Sequence, residues 1–146
     1  MAIIKIVEKD SEYFTIGDLI EDIKKSRRVD EAGAIYSFEG FVRGKEENFK
    51  LEKLILTTPD KQKAEEDIKA IVETAKIKYN VFEISVIHFI GEFYTGDPLF
   101  LVVILGGHRK ETYKALDEVV ERVKHEVDFK KEEISNEGTK VIMAGG

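Results

Sequence analysis

The apolar positions of the chain switch between two periods, and the switches outline the elements. Ile3 to Val7 reads as a short strand. From Thr15 the pattern becomes helical, with Leu19, Ile20 and Ile23 on one face. The basic run Lys24-Lys25-Ser26-Arg27-Arg28 follows, where a last helical turn favours positive charge. Gly33 to Val42 alternates with a period of two and predicts a strand, with Tyr36, Phe38 and Val42 on one face. A polar loop from Gly44 to Asn48 leads to a second strand, Leu51 to Thr57, and the two predict a hairpin-like pair. After Pro59-Asp60, the spacing of Ala64, Ile68, Ile71, Val72, Ala75 and Tyr79 is that of a helix with one buried stripe.

Phe82 to Ile90 predicts the next strand, and Gly91 and Gly96-Asp97-Pro98 punctuate a loop. Leu99 to Leu105 is uninterrupted apolar sequence, the signature of a central strand buried on both faces. Gly106-Gly107-His108-Arg109 runs straight into a helix whose buried side is Leu116, Val119, Val120, Val123 and Val127. Phe129 to Ile134 and Thr139 to Met143 form a last hairpin around Asn136-Glu137-Gly138. Strand pairs alternating with helices, and no repeat or linker, predict an α+β fold with a mixed or mostly antiparallel sheet in one domain over residues 1–146.

Composition narrows the function classes. The chain has 42% hydrophobic residues with 9 Phe and 5 Tyr, too apolar for intrinsic disorder. A net charge of −6 and the lack of an aromatic-and-basic stripe argue against nucleic-acid binding. Cysteine is absent, which excludes disulfides, thiolate metal sites and a cysteine nucleophile. No apolar run reaches the length of a membrane span, and Met1 to Val7 lacks the features of a signal peptide, so a cytoplasmic protein is expected.

Two places could carry chemistry. The Gly106-Gly107-His108-Arg109 turn joins a buried strand to a helix start, where free N–H groups and an arginine fork suit an anion. The same residues also describe an ordinary strand-to-helix turn with His108 and Arg109 exposed. Lys124 lies at the margin of its helix's apolar stripe, where it either snorkels to water or points into a cleft as an acid, base or amine nucleophile. Lys130 and Lys131 point to opposite faces of their strand, so one of them can share a pocket with Lys124. Arg43, at a strand end beside Gly44, suits an anion contact or a surface ion pair. His88, His108 and His125 fall on a strand, a turn and a helix, so no metal site is expected.

Taken in order, these landmarks resemble the large, catalytic subunit of molybdopterin synthase from about Gly33 to Met143. They are Gly33-Ala34 through Phe38-Glu39-Gly40-Phe41-Val42-Arg43, then Val86-Ile87-His88 with Ile90-Gly91-Glu92 and Gly96-Asp97. Gly107-His108-Arg109 follows, and last come Lys124 and Lys131 with Glu133 behind.

The resemblance implies an α/β hammerhead with an additional antiparallel β subdomain. It implies transfer of two sulfurs to cyclic pyranopterin monophosphate (precursor Z), giving molybdopterin with no cofactor. The sulfurs come from the thiocarboxylated C-terminal glycine of a small ubiquitin-like subunit, in a heterotetramer built on a homodimer. Carried over residue by residue, Lys124 and Lys131 are the catalytic lysines, and Phe38 and Arg43 belong to the substrate pocket. His108 and Arg109 bind the anionic part of the substrate from the neighbouring subunit.

The chain departs from the family pattern at Asp128 and Lys130, where the family has Pro and Trp. It departs again at Phe89, where an Arg follows the strand His, and at Thr57-Thr58-Pro59 before the middle helix. Asp128 would set a negative charge near an anion site. These changes keep a second reading open, a non-catalytic paralogue that binds a pterin or a ubiquitin-like tail. The ending Ala144-Gly145-Gly146 is read as a tail.

Overall fold

The computed structural model describes residues 2–46 and 49–143; the Ala144-Gly145-Gly146 ending lies outside them. The chain runs β1 (Ile4–Glu8), α1 (Ile16–Ile23), a single 3-10 turn at Val29–Glu31, β2 (Ala34–Phe41), β3 (Lys45–Glu46) and β4 (Phe49–Thr57). It continues as α2 (Lys61–Tyr79), β5 (Glu83–Phe93), β6 (Pro98–Gly106), α3 (Arg109–Glu126), β7 (Lys130–Ser135) and β8 (Gly138–Ile142). The strands form one sheet ordered β2-β6-β5-β4-β7-β8, with β1 parallel to β5 and β3 paired to β4. The other pairings are antiparallel. This is the α+β class that the alternation of strand pairs and helices predicts.

The two middle strands are the most apolar sequences in the chain, and their position follows from that. Residues 84–90 of β5 and 100–106 of β6 are all buried. A strand hydrophobic on both faces is stable only where both faces are covered. Here α1, α2 and α3 supply covering layers. Of the stripe predicted for α2, Ala64, Ile68, Ile71, Val72 and Ala75 are buried, and Tyr79 is half-buried at its end. On α3 the fully buried side is Thr112, Ala115, Val119 and Val123, with Leu116 and Val120 half-buried at its flank.

Three expectations are corrected. Strand β2 does not pair with β4. It lies at the edge against β6, from Ala34 opposite Gly106 to Phe41 opposite Pro98, while β4 sits between β5 and β7. The polar connection instead makes its own small hairpin, Lys45 opposite Lys50. Local turn chemistry cannot distinguish these pairings, because the choice rests on which long apolar strand each one covers. The second correction concerns Gly91, which is inside β5 and not in a loop. At φ +129° it occupies backbone space that favours glycine. There β5 changes neighbours, from β6 over residues 83–88 to β4 over residues 91–93. The third is α1, which stops at Ile23, before the basic run begins. Lys24 and Lys25 then pair back to Glu21 and Asp22.

Beyond Gly91 the sheet leaves its helical cover and continues as the antiparallel strands β4, β7 and β8. The residues with predicted chemistry gather at this junction.

Candidate functional site

Lys124 and Lys131 line one cavity of about 340 Å³. Its walls come from several parts of the fold. Helix α3 supplies Val120, Glu121 and Lys124, β5 supplies His88, and β7 supplies Lys131. Phe38 from β2, Phe100 from β6 and Phe129 before β7 provide aromatic surface. Ile142 and Met143 stand at the end of β8.

Local geometry explains which lysine enters. Lys131 is opposite Leu56 on β4 and Ile142 on β8, both in the cavity wall. Directly opposed residues share a face of the sheet, so the Lys131 amine emerges between two aliphatic side chains. Burial there lowers its pKa below the ordinary lysine value, and the Lys124 charge lowers it further against the opposing pull of Glu133. Lys130, one residue earlier, points the other way and pairs with Glu132 at 3.3 Å. Lys124 is exposed, one helical turn after Glu121, whose carboxylate lies 3.2 Å from His125.

The aromatic wall is built by edge and stacking contacts. Phe38 meets Phe100 edge-on at a centroid distance of 5.8 Å. His88 lies flat on Phe129 at 4.0 Å. An apolar and aromatic chamber with a few cationic groups suits a flat heterocycle that carries negative charge. In such a low-dielectric space an ammonium group acts strongly on charge developing in a reacting anion.

Three predicted residues lie elsewhere in the chain's own fold. His108 and Arg109 are exposed at the start of α3. His108 occupies the N-cap position with no side-chain capping hydrogen bond. Arg109 and Lys124 are fifteen residues apart on the same helix, about 22 Å along its axis, so both cannot serve one cavity within one chain. The turn before α3 is tight: a Cβ on Gly106 would collide with the Thr112 hydroxyl, which hydrogen-bonds the His108 carbonyl at 2.6 Å. Arg43 follows β2 outside the cavity wall and is exposed. Its neighbour Val42 is pinned to the β5–β6 turn, donating to the Asp97 carbonyl and accepting from the Gly96 amide, both at 2.9 Å.

Two wall residues, His88 and Phe129, were not singled out as site residues from sequence. The available signal was a single histidine in an otherwise apolar stretch of β5, at the position facing the same way as Val86 and Ile90.

The departures from the family pattern fall outside the wall. The Asp128 charge, expected near the anion site, acts instead on Lys63 of α2, whose ammonium is held above its usual range chiefly by Asp67. The Asp128 backbone carbonyl accepts a hydrogen bond from Thr58 at 2.8 Å. Phe89 alternates with His88 and faces away from the cavity.

Residues 11–126 match the family described as MoaE protein. The chain belongs to the MoaE family. It is 32% identical over 130 residues to the molybdopterin synthase catalytic subunit of Pyrococcus abyssi, covering 89% of this chain and 84% of that one. The corresponding subunit of Thermoplasma volcanium is 28% identical, with 92% and 93% covered. A probable molybdopterin synthase of Haloferax volcanii is 31% identical over 90% of this chain, which spans about half (51%) of that longer protein. Among solved structures, molybdopterin synthase from Staphylococcus aureus superposes with a TM-score of 0.82 at 26% identity, covering 97% and 98% of the two chains. A complex of subunits 1 and 2 of molybdopterin-converting factor from Helicobacter pylori shares the fold, with a TM-score of 0.67 at 22% identity over 97% and 89%. This MoaE-family chain thus carries the lysine-lined cavity at the junction of its helix-covered and open antiparallel halves.

Proposed function

We propose that this chain is the catalytic subunit of a molybdopterin synthase, a sulfurtransferase of molybdenum cofactor biosynthesis. The observation that carries the reading is the convergence of Lys124 and Lys131, from a helix and a strand, on one aromatic-walled cavity in a MoaE-family fold.

The substrate is cyclic pyranopterin monophosphate, and the sulfur donor is the thiocarboxylated tail of a small ubiquitin-like subunit. Both are anionic at the reacting end. The ammonium of Lys124 holds and neutralises the incoming anions. Lys131, whose amine is partly buried and whose pKa is lowered by that burial, is placed to exchange a proton or to act as an amine nucleophile. Phe38 and Phe129 present faces for the heterocycle. His108 and Arg109, supplied by the neighbouring subunit of a homodimer, bind the anionic part of the substrate, and Arg43 is the residue the resemblance assigns to pterin or phosphate. With a small subunit on each large one, the assembly is a heterotetramer. No helix among the described residues is long and apolar enough to cross a membrane; the reading assigns the protein to the cytoplasm.

The alternative of a non-catalytic paralogue was motivated by Asp128, Lys130, Phe89 and Thr57-Thr58-Pro59. None of these lines the cavity, so no specific observation favours it. The test is one reaction: the chain, a thiocarboxylated small subunit and cyclic pyranopterin monophosphate, assayed for molybdopterin. Product formation is expected. A complex on gel filtration without product would overturn the catalytic reading in favour of the binding one.

A further inference from the structure

Lys9 and Asp97 form an ion pair that has no task in the reaction as described. Lys9 follows β1, and its ammonium lies 2.6 Å from Asp97 Oδ2. The same ammonium sits over the rings of Phe93 and Tyr94, 5.4 and 5.1 Å from their centroids. Asp97 Oδ2 also accepts from the Tyr94 amide at 2.8 Å, and the Asp97 amide donates back to the Tyr94 carbonyl at 3.0 Å. One carboxylate thus ties together the two ends of the turn between β5 and β6, and fastens that turn to the end of β1.

The turn in its own right grips the chain that leaves β2. Val42 is buried, and both its backbone groups bond to Gly96 and Asp97. Two residues on, a Cβ at Gly44 would collide with the Thr95 side chain, so the strand exit is fitted against the turn from Val42 to Gly44. Arg43 lies between these two contacts. Just before them the pairing slips: Gly40 is opposite Phe100 but Phe41 is opposite Pro98, with Leu99 as the extra residue. Gly40, Phe41 and Leu99 all line the cavity. Burial then alternates, with Phe41 exposed, Val42 buried and Arg43 exposed. Arg43 therefore leaves the chain on the side of Phe41, at the rim of the cavity.

We infer that Asp97 is a positioning residue: held by Lys9, its carboxylate sets the turn that clamps Val42 and aims the Arg43 guanidinium towards the substrate at the cavity rim. The inference rests on the reading of Arg43 as a residue of the substrate pocket. A guanidinium recognises an anion through a planar fork of N–H groups, so its direction matters as much as its charge. An arginine on a loose strand end must be ordered when it binds, at an entropic cost that a backbone fixed beforehand lowers. Lys9 and Asp97 fix that backbone without themselves lining the cavity.

The test measures binding of cyclic pyranopterin monophosphate to the full chain by calorimetry, and hydrogen exchange at the Val42 amide by NMR. Lys9→Met removes the ion pair and Lys9→Arg keeps it. Asp97→Asn keeps an acceptor for the Tyr94 amide, and stands in if Asp97→Ala fails to fold. Arg43→Ala is expected to weaken binding about tenfold. Asp97→Ala and Lys9→Met are expected to weaken it about fivefold and to speed Val42 exchange about tenfold, with Lys9→Arg close to the parent. In an Arg43→Ala background, Asp97→Ala is expected to add less than about twofold, because nothing remains to be positioned; a general loss of structure would add in full. Parent-like binding in both Asp97→Ala and Lys9→Met, or full additivity with Arg43→Ala, overturns the inference and leaves Arg43 in the pocket. Unchanged Val42 exchange in both variants overturns it as well. Parent-like binding in Arg43→Ala, or no binding by the parent, overturns the reading of Arg43 and the inference with it.

Discussion

Lys124 and Lys131 belong to different elements, a helix and a strand, and line the same cavity although only seven positions separate them. The short connection carries the buried residues Val127 and Phe129, and the end of α3 and the start of β7 both contribute to the cavity wall. The pair differs in environment. Lys124 is exposed, whereas Lys131 stands between aliphatic side chains and has a lowered pKa. An exposed amine and a partly buried one on the same cavity can divide the work of holding an anion and moving a proton.

Lys124→Ala is expected to reduce molybdopterin formation by two orders of magnitude or more, a loss of roughly 3 kcal/mol of transition-state stabilisation. The side chain is exposed, so thermal stability is expected to change by about 0.5 kcal/mol or less. Product assays and thermal melts on the same preparation check both. Parent-like turnover would sink the catalytic assignment.

Lys131→Met is expected to abolish product formation and to change the pH dependence of stability. Because the folded pKa of Lys131 is lowered, the unfolded chain binds the proton more readily. The parent therefore gains stability as pH rises through the folded pKa towards the ordinary lysine value, about 10.4. The Met variant lacks that gain, and removing a penalised charge leaves it at least as stable at neutral pH. Urea unfolding at several pH values measures the difference.

His88 predicts an acid-sensitive step. Its folded pKa of about 4 lies below the ordinary 6.5, so the unfolded chain takes up a proton first as pH falls. This contribution is full above about pH 6.5 and declines towards pH 4, by about 3 kcal/mol at most. In His88→Phe the decline over that window is expected to be shallower by that amount, as read from denaturant unfolding. A parent-like slope in the variant would show that the imidazole does not govern it.

Arg109 and Lys124 sit at opposite ends of α3, which makes the origin of each site testable by mixing. If the neighbouring subunit supplies Arg109, Arg109→Ala and Lys124→Ala are each inactive as homodimers. A mixed dimer of the two has one intact site and one doubly altered site. Random exchange of equal amounts is then expected to restore about a quarter of the parent activity. Inactive mixtures, with subunit exchange verified by mass, would place Arg109 outside the neighbour's site.

A fifth substitution probes the turn that leads into α3. Gly106→Ala places a methyl group against the Thr112 hydroxyl. It is expected to cost about 1–3 kcal/mol of stability, measured by thermal melts. Gly106→Ala combined with Thr112→Ser, which keeps the colliding oxygen, is expected to recover little.

Much was legible from the sequence because it was local. The buried stripes of α2 and α3 recur at helical spacing and became the faces that pack on the sheet. The uninterrupted apolar run of β6 became a central strand because a strand with no polar face needs cover on both sides. The opposite orientations of Lys130 and Lys131 followed from the strand period, and their family spacing pointed to Lys131. The tertiary structure decided what depends on long-range neighbours. It set β2 against β6 and not β4, and it bent β5 at Gly91 so that one strand serves both halves of the sheet. It also kept Asp128 out of the cavity wall and brought His88 against Phe129, forty-one positions away in the chain. Periodicity tells each residue which side of its own element it occupies. Which other element meets that side depends on the joint burial of all the apolar faces, and in this protein that choice made the cavity.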